Sequence, residues 1–175
     1  MEKPNVMTAQ PCPMCNKKTL TLTEADKDIP YFGLVFLFSM DCSNPKCHYH
    51  KADIELANKG TPTKWTLDVT KEDDMKIRVV KSSEATVNIT RIMKIEPGPA
   101  SNGYVTNVEG ILNRAKVMLE KVRDDSEDND DRKKAKNMIK KLQDVMWGHD
   151  TIRITIEDPT GNSAIISDKA VKSKL

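Results

Sequence analysis

Four cysteines carry the most chemistry in this 175-residue chain: Cys12, Cys15, Cys42 and Cys47, spaced C-x2-C-x26-C-x4-C. A tetrahedral zinc ion takes four soft or borderline donors, and a short C-x2–4-C knuckle brings two thiolates to one side of it. Two such knuckles joined by a β-hairpin make a ribbon. Pro13 in the first knuckle and Ser43-Asn44-Pro45 in the second supply the tight chain reversals. With four thiolates in place no coordination position stays open for water, so the spacing predicts one structural Zn2+ and not a hydrolytic one.

Other chemistries fit less well. Cys12-Pro13-Met14-Cys15 could be a dithiol redox pair, but such pairs open a helix in a βαβ setting, and strand-like TLTLTE (19–24) follows here. His48 and His50 flank Cys47 and could replace a cysteine, yet four thiolates already complete the tetrahedron. Asp41, Glu55, Asp68 and Glu96 are scattered without a histidine or serine partner, so no enzyme is expected. The acidic run DDSEDNDD (124–131) lacks the glycine and alternating ligands of a calcium loop.

The elements that would position the cysteines are mostly strands. Residues 1–10 read as a loose tail, and a zinc-ribbon module spans 11–60. Within it Leu34–Met40 (LVFLFSM) is apolar on both parities, predicting cover on both faces. The aromatics concentrated between Tyr31 and Phe38 predict a buried segment. Short β-branched runs at 65–69, 77–80, 85–89 and 93–95, then 152–156 and 164–166, make a β-rich domain over 61–167. A helical hairpin interrupts it at about 107–147. Thr106 and Glu109 suggest a capping box at its start, and Gly148 suits the left-handed residue that closes it. Residues 168–175 read as a basic tail. The fold class is therefore mainly β (α+β): a small β-ribbon packed on a β-sandwich with an inserted hairpin.

The net charge of +2 is too small to favour nucleic acid by long-range attraction. Arg132–Lys141 (RKKAKNMIKK) and the basic tail still leave a nucleic-acid-binding zinc ribbon as the alternative; a solvated helix face paired with the acidic run is preferred. No apolar run is long enough to span a membrane and no signal segment precedes Cys12, so a cytoplasmic monomer or weak oligomer is expected. Clustered cysteines in that compartment read as ligands, not bridges.

CPMC (12–15), DIPYFG (28–33) and SMDCSNPKCHY (39–49) together resemble the ZPR-type zinc finger. KSSEATVNI (81–89), IEPGPASNGYVTNVEGIL (95–112) and IEDPTGNSAIIS (156–167) resemble the domain that follows that finger in the same family. The resemblance runs from about Cys12 to Ser167 with the motifs in the family's order. Eukaryotic members carry two finger-plus-domain units; this chain has one, like the archaeal proteins. The resemblance implies ligands at Cys12, Cys15, Cys42 and Cys47, and a domain of double-stranded β-helix type. It also implies a protein partner, translation elongation factor 1-alpha, whose folding the eukaryotic members assist. The family's second knuckle is usually C-x2-C, so the longer Cys42–Cys47 spacing is a departure that alters the loop. The loops singled out as partner-binding are Glu96, Pro97, Gly98 and Pro99, and Asp158, Pro159, Gly161 and Asn162; plain turn chemistry is the competing reading.

Overall fold

A computed structural model describes residues 4–29, 33–57 and 60–175. Its strands form three sheets stacked as layers. The first is the finger sheet: β1 (Asn5–Gln10), β2 (Leu20–Ile29), β3 (Gly33–Cys42) and β4 (His50–Leu56), antiparallel in that order. The second has three strands, β6 (Arg78–Lys81) between β9 (Tyr104–Asn107) and β11 (Ala164–Ile166). The third has five: β12 (Val171–Lys174), β5 (Thr63–Val69), β10 (Ile152–Asp158), β7 (Thr86–Ile89) and β8 (Met93–Ile95), in that order across the sheet. Helices α1 (Val108–Asp125) and α2 (Asn129–Met146) form the inserted hairpin.

Strand alternation explains the layering, because successive side chains leave opposite faces. Val79 of β6 and Ile165 of β11 point into the main core with Leu67, Val69, Val87, Ile89, Ile154 and Ile156. Their neighbours Val80 and Ile166 point the other way and meet Ile29, Val35 and Ile54 of the finger sheet. The middle sheet is thus buried on both faces, and this second cluster docks the finger on the domain. Val108, Ile111, Leu112, Ala115 and Leu119 of α1, with Leu142 and Val145 of α2, close the main core.

Several sequence expectations change. Residues 5–10 are a strand, not a loose tail: Val6 pairs with Thr23 and Met7 with Leu22 at the sheet edge. The basic tail also forms a strand, with Val171 opposite Thr66 and Lys174 opposite Thr63. Both are exposed edge strands, held by backbone bonds to a neighbour and so lacking the apolar alternation that marks a half-buried strand. Leu34–Met40 is covered on both faces only at its cysteine end: Val35 is fully buried and Phe38 and Met40 are half-buried, while Leu34 and Phe36 face solvent. Tyr31 and Phe32 lie outside the described residues.

The helix starts also move. Asn107, not Thr106, caps α1, its Oδ1 accepting from the Gly110 N–H at 2.8 Å. Thr106 is held in β9 opposite Val79, so its backbone cannot begin the helix. α2 starts at Asn129, inside the acidic run, because Asp128 accepts from the Asp130 N–H and Asp130 and Asp131 favour the positive helix start. On α1 the apolar stripe is narrower than its spacing suggests, since Met118 and Val122 are exposed. Gly148 has the expected left-handed backbone, φ 73°.

Candidate metal centre

The four sulfur atoms gather at one end of the finger sheet, all within 4.8 Å of one another. Cys12 and Cys47 Sγ lie 3.8 Å apart, as do Cys15 and Cys42 Sγ. Zinc–sulfur bonds of about 2.3 Å at tetrahedral angles require S···S separations of about 3.8 Å. The spacing therefore fits one structural zinc ion. Cys12 and Cys42 are buried, with Leu20, Met40 and Tyr49 packed around the cluster. Among the described residues no histidine or carboxylate joins it. His50 is drawn away instead, its Nδ1 lying 2.6 Å from Asp41 Oδ1.

The two knuckles have the same backbone turn despite their unequal spacing. In the first, the Asn16 N–H donates to Cys12 O at 2.8 Å, and Asn16 is left-handed at φ 56°. In the second, the His48 N–H donates to Asn44 O at 3.2 Å, and His48 is left-handed at φ 49°. Asn44 thus occupies the turn position that Cys12 holds in the first knuckle. The fourth thiolate comes from Cys42, two residues upstream at the end of β3. The departure in spacing leaves the turn intact and moves one ligand onto the strand.

Two neighbours missed by the sequence reading tune the sulfurs. Thr19 Oγ1 lies 3.2 Å from Cys42 Sγ, and its hydroxyl is the main reason that thiol is held below its ordinary range. Hydrogen bonding from the Asn44 side chain, aided by Lys17, draws Cys15 down to about 6. For Cys47 the Tyr49 backbone pulls down, but burial and the three other sulfurs outweigh it and push the thiol up to about 12. Four sulfurs this close cannot all ionise unless a cation neutralises them. A divalent zinc removes that repulsion, and the donor set matches its preference for thiolate. Thr19 lies outside the cysteine motifs and Asn44 is legible there only as a turn former; the folded proximity shows their part at the sulfurs.

The loops expected to bind a partner divide in two. Asp158 is fully buried, its carboxylate accepting from Ser82 Oγ (2.9 Å), Ser163 Oγ (2.5 Å), Thr160 Oγ1 (2.7 Å) and the Thr160 N–H (2.8 Å). Burial pushes its pKa up, but these donors together hold it below the usual carboxylate range. Asn162 Oδ1 accepts from the Leu56 N–H at 3.2 Å, and Gly161 is buried against Gly60 and Thr61. Asp158 and Gly161 are buried and Asn162 half-buried, and all three brace the fold from within. Glu96, Gly98, Pro99 and Pro159 remain exposed and Pro97 half-buried, with Glu96 paired to Lys94 at 2.6 Å.

These braces grip the open edge of β4. Its outward amides at Ala52, Ile54 and Leu56 donate to Asn102 Oδ1, Asp53 Oδ1 and Asn162 Oδ1. Asp53 also accepts from the Ser83 N–H at 3.0 Å, and the Gly103 N–H donates to Ala52 O at 2.9 Å. A Cβ on Gly103 would lie 2.6 Å from Asp53 Oδ1, so this approach requires glycine. The two loops, with Asp53 of β4 itself, thus satisfy an edge that would otherwise invite another strand. Lys81, buried beside them, donates to Ser82 O at 2.8 Å; desolvation lowers its pKa while Asp158, Asp53 and Glu84 partly offset this.

A four-thiolate ribbon docked edge and face on a two-sheet sandwich defines the class. Residues 5–62 match the ZPR1 zinc-finger domain and residues 73–174 the ZPR1 jelly-roll domain. The chain belongs to the ZPR1 family. It is 37% identical over 169 residues to a ZPR1-like protein of Pyrococcus horikoshii, covering 94% of this chain and 75% of that one. A ZPR1-like protein of Methanocaldococcus jannaschii is 35% identical over 159 residues, covering 90% and 79%. The zinc finger chaperone zpr1 of Schizosaccharomyces pombe is 34% identical over 147 residues, covering 78% of this chain but only 30% of that protein. Among the described residues no helix is long and apolar enough to cross a membrane.

Proposed function

We propose that this chain is a cytoplasmic, non-enzymatic protein-binding module that acts as a binding and folding factor for translation elongation factor 1-alpha. The observation that carries the reading is the closed donor set. Cys12, Cys15, Cys42 and Cys47 fill a tetrahedron, so the metal shapes a surface and offers no open position for a substrate. Kinship with a protein named as a zinc finger chaperone supports the same reading. Of the four carboxylates weighed for catalysis, Asp41 pairs with His50, Asp68 with Arg153 and Glu96 with Lys94, while Glu55 lies exposed on β4. Glu96–Pro99 and Pro159 are proposed as secondary contacts with the partner. The protein would act as a monomer or weak oligomer.

The nucleic-acid alternative is the weaker one, because Lys134 and Lys141 of the basic run pair with Asp131 and Asp150. The test is capture of the purified elongation factor from the same organism by the zinc-loaded protein, with and without nucleotide. The reading predicts a stoichiometric complex. No capture in either nucleotide state, together with salt-dependent micromolar binding to tRNA, would overturn it in favour of the alternative.

A further inference from the structure

The two faces of the finger sheet differ. On β3, Val35 and Leu37 point inward and join Ile54 and Leu56 of β4 against the middle sheet. Leu34 and Phe36 point outward, 42% and 39% exposed. Cross-strand register places Asp28 beside Leu34, and sets Phe36 between Asp26 of β2 and Glu55 of β4. Asp26, Asp28 and Glu55 are exposed, and among the described residues none of them forms an ion pair. An aromatic ring flanked on both sides by carboxylates has a defined complement. A cation over its face gains from the ring quadrupole and from both acids, while apolar atoms beside it cover Leu34.

We infer that this outer face is the docking surface for a protein segment that carries an arginine or lysine next to an apolar side chain. The inference rests on the reading above that the function is protein binding, and it names the surface and the partner chemistry. The acidic flank sets the sign of the occupant and repels polyanions such as nucleic acid. The face lies toward the hairpin end of β2 and β3, opposite the cysteine cluster. The ten residues of β2 span about 30 Å at 3.3 Å per residue, so the platform sits well away from the metal and rests on the Val35–Ile54–Val80 cluster.

The test uses the zinc-loaded full chain and two probes: the purified elongation factor, and a short synthetic peptide alternating lysine and leucine with its glutamate–leucine twin. Fluorescence anisotropy should show binding of the lysine peptide and not of its twin. Phe36→Glu, and separately Asp26→Lys with Glu55→Lys, should weaken the lysine peptide about tenfold or more. Melting temperature and zinc content should stay unchanged, because these side chains face solvent; Phe36→Ser provides a second variant without added charge. The elongation factor should lose affinity in parallel. Equal binding of either probe by Phe36→Glu and the parent protein, or no preference for the lysine peptide, would overturn the assignment. If the parent protein fails to bind the elongation factor, the elongation-factor reading falls and the peptide arm alone decides the face. A concentration-dependent dimer abolished by Phe36→Glu would give the face to a second copy and overturn the proposal.

Discussion

The cysteine end of the finger and the sandwich beneath it bury very different interiors. Around the metal centre the buried apolar residues are Cys12, Leu20 and Cys42, with Met40 and Tyr49 half-covered. The sandwich instead buries a continuous set from Leu67 and Val69 through Ile111, Leu112 and Leu142 to Ile154, Ile156 and Ile165. At about 25 cal/mol per Å2 of apolar surface, the second set can support a fold on its own, and the first cannot. The cysteine end therefore depends on metal ligation in the way small metallo-domains do. One chain thus holds two regions whose stability has different sources, joined by the Val35–Ile54–Val80 contact and the β4 edge bonds.

The sharpest way to separate the two is to remove a ligand. Structural zinc binding is worth about 10–16 kcal/mol in small fingers near neutral pH. Cys12→Ser should therefore abolish stoichiometric zinc in elemental analysis and unfold the knuckle end, while the near-ultraviolet signal from Trp65, packed against the sandwich core, persists. The converse experiment attacks the apolar core. Ile154→Ala, at a side chain only 1% exposed, should cost about 2–5 kcal/mol and lower the melting temperature, with zinc still bound in the folded protein.

Within the sandwich, Asp158 ties Ser82 to the 158–163 turn. Asp158→Ala leaves the Ser82 and Ser163 hydroxyls and the Thr160 amide without their acceptor, and should cost about 3 kcal/mol. Its pH dependence has a definite sign. The folded carboxyl titrates below its ordinary value, so its contribution is complete above about pH 4 and fades as pH falls through the lowered value. Thermal melts compared near neutral pH and at pH 3 should show the parent losing more stability than Asp158→Ala. The smallest effect is expected beside the metal. Asn44→Ala removes the side chain that steadies Cys15, and should weaken zinc about 10–100-fold in a competition titration without unfolding the protein.

What could be read from the sequence follows from how local each cause is. The cysteine pairs, the alternation of Ile152, Ile154 and Ile156, and the closing Gly148 all obey short-range rules, and the structure agrees with them. The action of Thr19 and Asn44 on sulfur carries no such mark, because it depends on the fold bringing them to cysteines of the other knuckle. β1 and β12 are polar edges whose pairing leaves no hydrophobic period. The DPTGNS turn was legible as a turn, but its grip on Leu56 joins residues 106 positions apart. Phe36 misled for a related reason: an apolar run reads the same whether one face or both are covered.

Hydrogen exchange on the zinc-loaded chain, before and after chelation, tests the central claim most directly. The account predicts that chelation removes protection from the amides around Cys12, Leu20, Cys42 and Cys47, and leaves β5, β7, β10 and α1 protected. Unchanged protection at the cysteine end after metal removal would contradict a structural role for zinc. Simultaneous loss across the whole chain would contradict the separation of the two regions.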